Sequence, residues 1–585
     1  MLLTHIINNQ SISKEVSHDA TLLATNNLGG YLWLGNNNSS RYQGWHVRLK
    51  GKVYKILDEI KINPKKEIHE LKNIWLKNTH YLQRQRGALI ETYYTLKGQN
   101  TLIYELSQIK NIKLILDIRK SYSLPQQERY YNIYKKGDFL IIKYRDKELN
   151  QPLFLAIFTP SLKRWKKTEK WIKKERIFDK KRHSPPYFLY VYHALNFKTD
   201  RLIISVGLSE KEAIFSLRHP EHFRFAKDLF PLILPSRFLS KAKGSYSPNF
   251  SSFLACQSFK DLLVYNKNGK ILGLYAGLPW FFQFWLRDTA ISLKILFKID
   301  VKIADEISNL PNLPLSSKES QTVFNLDGLQ WALYRFLENI KHPVINTKEL
   351  NQIIKHISDH YINKNGLIIN KSSPTWMDSI ERSKFPIEMQ ALQLAIYNLA
   401  HKVTKNAKYK DMEKQLKNKV RSCFWNGKIL ADGKNDWTIK PNIFLAYYIY
   451  PNLLKKNEWE RCFETAFKAL WLNWGGLSTI DKNNPFYCIK HTGENPKSYH
   501  QGDAWFWINN IAAISMIKLN KEKYLPKIKK IFNASTKDLL WYNAIGNSSE
   551  LSSAQKFNPA GSMSQAWSLA TYIELINLTS LSCAF

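Results

Sequence analysis

Four segments between residues 279 and 567 set tryptophan beside carboxylates. The first is Pro279-Trp280-Phe281-Phe282-Gln283-Phe284-Trp285-Leu286-Arg287-Asp288-Thr289. The second is Thr375-Trp376-Met377-Asp378-Ser379. The third runs from Tyr499-His500-Gln501-Gly502-Asp503 into Ala504-Trp505-Phe506-Trp507. The fourth joins Ser548-Ser549-Glu550-Leu551 to Gly561-Ser562-Met563-Ser564-Gln565-Ala566-Trp567. Aromatic faces stack on sugar rings, and an Arg-Asp pair offers donors and acceptors to hydroxyls. Two carboxylates in unlike surroundings supply a general acid and a general base. That combination suits glycoside hydrolysis.

Each segment also has a plain structural reading. Asp288 reads equally as a helix cap with an ion-paired Arg287, and Asp378 as a turn or cap residue. Glu388, two residues after Pro386, complements a helix dipole as readily as it meets a substrate. His500 has no second histidine at metal-ligand spacing, so no metal and no cofactor are expected. Glu550 taken singly is an ordinary surface acid. Only the set carries weight.

The elements that must position these residues fall into two kinds. The first ~230 residues contain short runs rich in β-branched and aromatic residues, such as Gly51–Leu57, Thr101–Ile109, Ile112–Ile118 and Leu153–Phe158. Turn signals such as Lys136-Gly137-Asp138 divide them. An N-terminal antiparallel β-sandwich over residues 1–235 is expected. A polar stretch at 236–250 reads as a linker. Residues 251–585 show long helical patterns, among them Arg287–Phe297, Leu326–Asn339 and Pro386–Val403, joined by Trp-rich loops. Without alternating strands, that points to an α/α domain.

Composition bounds the rest. The net charge is +38, and Lys163–Arg182 holds the densest basic run. With no zinc-finger or RNA-binding signature, the run reads as a solvated face and no nucleic-acid partner is expected. Five scattered cysteines, without CxxC spacing, suit a reducing compartment. The N-terminus lacks the pattern of a secretory signal, and no apolar stretch is long enough to span a membrane. A cytoplasmic protein is expected.

In their order, these motifs resemble the glycogen debranching enzyme family, in its amylo-α-1,6-glucosidase part. Asn27-Leu28-Gly29-Gly30-Tyr31 and Arg41-Tyr42-Gln43-Gly44 are similar to the opening of its monofunctional prokaryotic members. The segment around Arg287-Asp288 resembles the family's PWF…WGRDT. Thr375–Asp378, Pro386-Ile387-Glu388, Lys440-Pro441-Asn442, Tyr499–Gly502 and Ser549-Glu550 resemble further family motifs. The resemblance implies an (α/α)6 toroid, an inverting mechanism and a glycogen-like branched α-glucan as substrate. It implies Asp378 as general acid and Glu550 as general base. It also implies a sugar pocket of Trp280, Arg287, Asp288, Trp376, Glu388, His500, Gln501 and Trp505.

The chain departs from the family at several points. Leu286 stands where a glycine is usual, Gln43 where a histidine is, and Lys440 where an arginine is. Asp503 replaces a small residue, and Leu551–Lys556 replaces an acidic loop. A glucoamylase-like α-1,4-glucosidase, a phosphate-using toroid and a catalytically decayed glucan-binding protein are the competing readings. Retention of Glu550 argues against the phosphate-using one.

Overall fold

The computed structural model describes residues 5–8, 11–15, 21–35, 39–62, 71–77, 81–124, 128–160, 165–217, 248–299, 322–323, 325–339, 346–371 and 375–580. The chain divides into two compact units, residues 1–270 with 543–546 and residues 271–542 with 547–585. Of the expected linker, 236–247 lies outside the described residues, and the remaining three open a helix, Pro248–Lys260. No described helix is long and apolar enough to cross a membrane.

The first unit is built on one large antiparallel sheet. Two strands of 20 residues, Thr101–Lys120 and Phe188–Gly207, pair with each other from Thr101↔Ser205 to Leu116↔Tyr192. Each changes its other partner midway. Thr101–Lys120 pairs with Leu89–Thr95 and then with Lys52–Ile62. Phe188–Gly207 pairs with Trp165–Glu175 and then with Leu153–Phe158. The register shifts between Glu105 and Lys110, where an irregularity bends the strand and the sheet forks. Sequence patterning divides this strand into two, because exposed Ser107, Gln108 and Asn111 interrupt the apolar alternation. The interruption is the bend, not a turn.

The basic run Lys163–Arg182 is only partly a solvated face. Lys166, Lys167, Lys170 and Lys173 are exposed, but Arg176 is fully buried and pairs with Asp58 at 2.7 Å. Asp58 and Asp117 sit among Lys55, Arg119, Arg129 and Arg176, whose charges hold both carboxyls below the usual range despite burial.

The second unit is helical. Its described helices are α1 Leu286–Ile299, α2 Leu326–Glu338, α3 Thr347–Tyr361, α4 Ile387–Thr404 and α5 Ala407–Phe424. They continue with α6 Asn442–Ile449, α7 Lys456–Leu470, α8 Phe506–Trp541 and α9 Ala566–Ser580. Extended backbone at Asn520 (φ −164°, ψ 88°) breaks α8 into two helices. Six helices pack in a cycle: α1 on α2, α2 on α4, α4 on α6, α6 on α8, α8 on α9, and α9 back on α1. Residue type explains who sits in the cycle. All eight residues of α6 are buried, as its apolar sequence NIFLAYYI requires. By contrast α5 packs on α4 and buries a single stripe, Tyr409, Leu416, Val420 and Phe424.

Candidate active site

The chemistry-bearing residues gather at the N-terminal ends of the six cycle helices. Arg287 and Asp288 lie in the first turn of α1, Asp327 in that of α2 and Glu388 in that of α4. Asn442 opens α6, Trp505 precedes α8 and Gln565 precedes α9. Helix N-termini carry unpaired N–H groups and a partial positive charge, which suits carboxylates and hydroxyl oxygens.

Glu550 is 2% exposed, on the loop between α8 and α9. Its Oε1 accepts from the Tyr499 hydroxyl, and its Oε2 from the Ser562 N–H at 2.9 Å. The loop before it is tied to Asp538 in α8. The Ser549 N–H and hydroxyl donate to that carboxylate at 2.6 and 2.7 Å, and the Ser548 hydroxyl at 3.2 Å. Burial nevertheless pushes the Asp538 carboxyl up to about 7.

Asp378 lies on the segment between α3 and α4. Its side chain is 40% exposed, with Oδ1 4.0 Å from His500 Nδ1. The surrounding protein still raises its pKa above the ordinary value, chiefly by desolvation, against the opposing charge of Arg287. An acid open to substrate yet inclined to keep its proton is what general-acid catalysis requires.

Asp288 is buried, and its carboxyl is pushed up to about 7. Burial is the largest cause. The Arg287 charge opposes it, and the charges of Glu550 and then Asp378 add to it. The three carboxyls therefore share one electrostatic environment. Gln565 donates to Asp288 at 3.3 Å, and Arg287 grips Asp327 through Nε and Nη2 at 2.5 and 3.1 Å.

An aromatic cluster backs these groups. Trp376 packs edge-on against Trp505 at 5.6 Å and Trp507 at 5.2 Å, and Trp507 stacks on Trp567 at 4.8 Å. The Trp376 indole N–H donates to Asn442 Oδ1 at 2.7 Å, which fixes its ring. His500 is fully buried and stacks on Trp505 at 5.0 Å. Its Nδ1 accepts from the Ser379 N–H at 3.3 Å, placing the ring proton on Nε2. Burial, with the Arg382 and Arg287 charges, holds its pKa well below the ordinary value, so the ring is neutral.

The remaining expected pocket residues stand differently. Glu388 is buried with both oxygens bound by Arg382, at 2.5 and 3.1 Å. Trp280 is buried in the loop before α1. Gln501 is half-buried, and its carbonyl accepts from the Cys488 N–H at 2.7 Å. Leu286 is the buried first residue of α1. Asp503 is fully buried, bonded to Ser498 and His491 at 2.7 Å each, and so anchors its own loop. Lys440 reaches two carboxylates, Asp432 at 2.8 Å and Asp436 at 3.1 Å.

Sequence reasoning did not single out Asp327, Arg382, Asp432 or Asp538. Asp327 had a findable signal, since it opens a helix just as Asp288 and Glu388 do. Arg382 and Asp432 are 50 positions apart and meet only in the fold, at 2.9 and 3.0 Å.

Residues 326–574 match the family described as amylo-alpha-1,6-glucosidase, a span that takes in Asp327, Asp378 and Glu550. No curated protein matches the chain. Among solved structures, the chain is similar to cellobiose 2-epimerase from Bacillus thermoamylovorans B4167. There the identity is 11% and the TM-score 0.43, over 57% of this chain and 100% of that one. It is similar to a wild-type glycosidase at 10% identity and TM-score 0.42, over 57% and 98%. It is also similar to the GH63 mannosylglycerate hydrolase from Thermus thermophilus, at 10% identity and TM-score 0.38, over 55% and 98%. At such values these likenesses say nothing about substrate. The match to the amylo-alpha-1,6-glucosidase family thus lies within the helical unit, over residues 326–574.

Proposed function

We propose that this protein is an inverting glycoside hydrolase that releases glucose from α-1,6-linked branch stubs on glycogen-like glucans. Asp378 protonates the glycosidic oxygen, and Glu550 activates a water on the opposite face of the sugar. Arg287 and Asp288 meet the hydroxyls of the glucose, and the Trp376–Trp505 cluster forms the apolar wall. The scaffold in this reading is an (α/α)6 toroid, which the cycle of six packed helices supports. One observation carries the assignment of roles. Asp378 is accessible with a raised pKa, whereas Glu550 is buried with each carboxylate oxygen accepting a hydrogen bond.

Glucose release from glucosyl-branched and linear maltooligosaccharides tests the proposal. The wild type releases glucose from the branched substrate. Asp378→Asn and Glu550→Gln each lose about 10²–10⁴-fold in rate, the range of general acid–base catalysis. Undiminished activity in either variant removes that residue from its role. Release from linear chains alone moves the activity to an α-1,4-glucosidase.

A further inference from the structure

An open groove of about 710 Å³ runs between residues 381–383 and 434–438 of the helical unit. Its wall includes Glu381, Arg382, Ser383, Lys434, Asn435 and Trp437. It adjoins the segment that carries Asp378. The Arg382 guanidinium, 5% exposed, donates to Thr375 Oγ1 at 2.9 Å, and the same oxygen accepts from the Met377 N–H at 3.3 Å. The groove wall is therefore two hydrogen bonds from the residue before Asp378.

Trp437 is 44% exposed and follows a braced stretch of backbone. It follows a tight turn in which the Asp436 N–H donates to the Gly433 carbonyl at 2.9 Å and the Asp432 N–H to the Asp436 carbonyl at 3.0 Å. Lys440 ties both ends of that turn through Asp432 and Asp436. The groove thus pairs one exposed, flat aromatic face with a carboxylate, a hydroxyl, an amide and an ammonium. That lining suits a neutral polyhydroxylated chain, whose rings have apolar faces and whose edges alternate donors and acceptors.

We propose that this groove holds the leaving glucan chain, an α-1,4-linked run of glucose, with Trp437 stacked on one of its rings. The inference rests on the proposed role of Asp378. The general acid protonates the leaving oxygen, so the leaving chain departs past the segment that carries Asp378, which this groove adjoins. The groove would then distinguish a stub on a long chain from a free isomaltose unit.

The test compares wild type, Trp437→Ala and Trp437→Phe on a glucosyl-branched maltooligosaccharide and on isomaltose. In Trp437→Ala, KM for the branched substrate rises at least tenfold more than KM for isomaltose, and Trp437→Phe recovers most of the difference. Equal changes on both substrates, or none, overturn the proposal. Direct titration with maltohexaose, followed by indole fluorescence, reads the groove without turnover. Saturable quenching lost in Trp437→Ala supports it, and identical curves or no binding by wild type refute it. Failure of wild type to release glucose from either substrate refutes the α-1,6-glucosidase reading separately.

Discussion

The Tyr499 hydroxyl donates to Oε1 of Glu550, while the Ser562 N–H holds Oε2 at 2.9 Å. These two bonds aim the carboxylate. Tyr499→Phe removes one without changing the ring, so kcat is expected to fall about 10–10²-fold, with KM changing less, as for a misaligned catalytic group. Steady-state kinetics with an unchanged kcat would show that Tyr499 does not position Glu550.

Gly561 has φ +73°, and a Cβ there would collide with Glu550 Oε2 and lie 2.8 Å from the Glu550 Cβ. Gly561→Ala must therefore displace Glu550 or its loop. Glucose release is expected to drop about 10²-fold or more, with the far-UV circular dichroism preserved. Wild-type kinetics in this variant would mean that the position of Glu550 is not demanding.

As the proposed general acid, Asp378 acts in its protonated form, so kcat/KM is expected to fall as pH rises through its raised pKa. Asp288 loses its proton near pH 7 and adds a negative charge close to both Asp378 and Glu550. Asp288→Asn should change the shape of the pH profile near neutrality. A profile identical to wild type would separate Asp288 from the catalytic pair.

Asp538 bears on stability. Its carboxyl titrates at about 7 in the fold, against 3.8 for an ordinary aspartate. Between those values the folded protein keeps a proton that the unfolded chain has released, so stability falls as pH rises through that window. Thermal melts at pH 5 and pH 8 should show a larger drop for wild type than for Asp538→Asn. Equal drops would contradict this.

Asp432 accepts from Arg382, Lys440 and Asn442, whose side chains are all buried. Asp432→Ala leaves two cations buried without that partner, at a cost of about 3–5 kcal/mol. Thermal unfolding should show Tm lowered by on the order of 10 °C. A melt matching wild type would mean that the network relaxes freely.

Local pattern was legible in the sequence where local physics decides it. The helices around Asp288, Asp327 and Glu388 follow from apolar periodicity and helix-opening residues. The long strands were not legible as such, because exposed residues at a bend mimic a turn. Nor was the commitment of Glu388 to Arg382, or of Asp327 to Arg287. Arg287 meets Asp327 only when the first turns of α1 and α2 pack together, and Arg382 reaches Glu388 only through the fold of the segment that leads into α4, neither of which spacing along the chain specifies.

The central claim is inversion at an α-linkage by Asp378 and Glu550. The direct measurement is proton NMR of the first glucose released from a glucosyl-branched maltooligosaccharide, taken before mutarotation. β-Glucose is the expected first product, absent with Asp378→Asn and with Glu550→Gln. α-Glucose as the first product would contradict it.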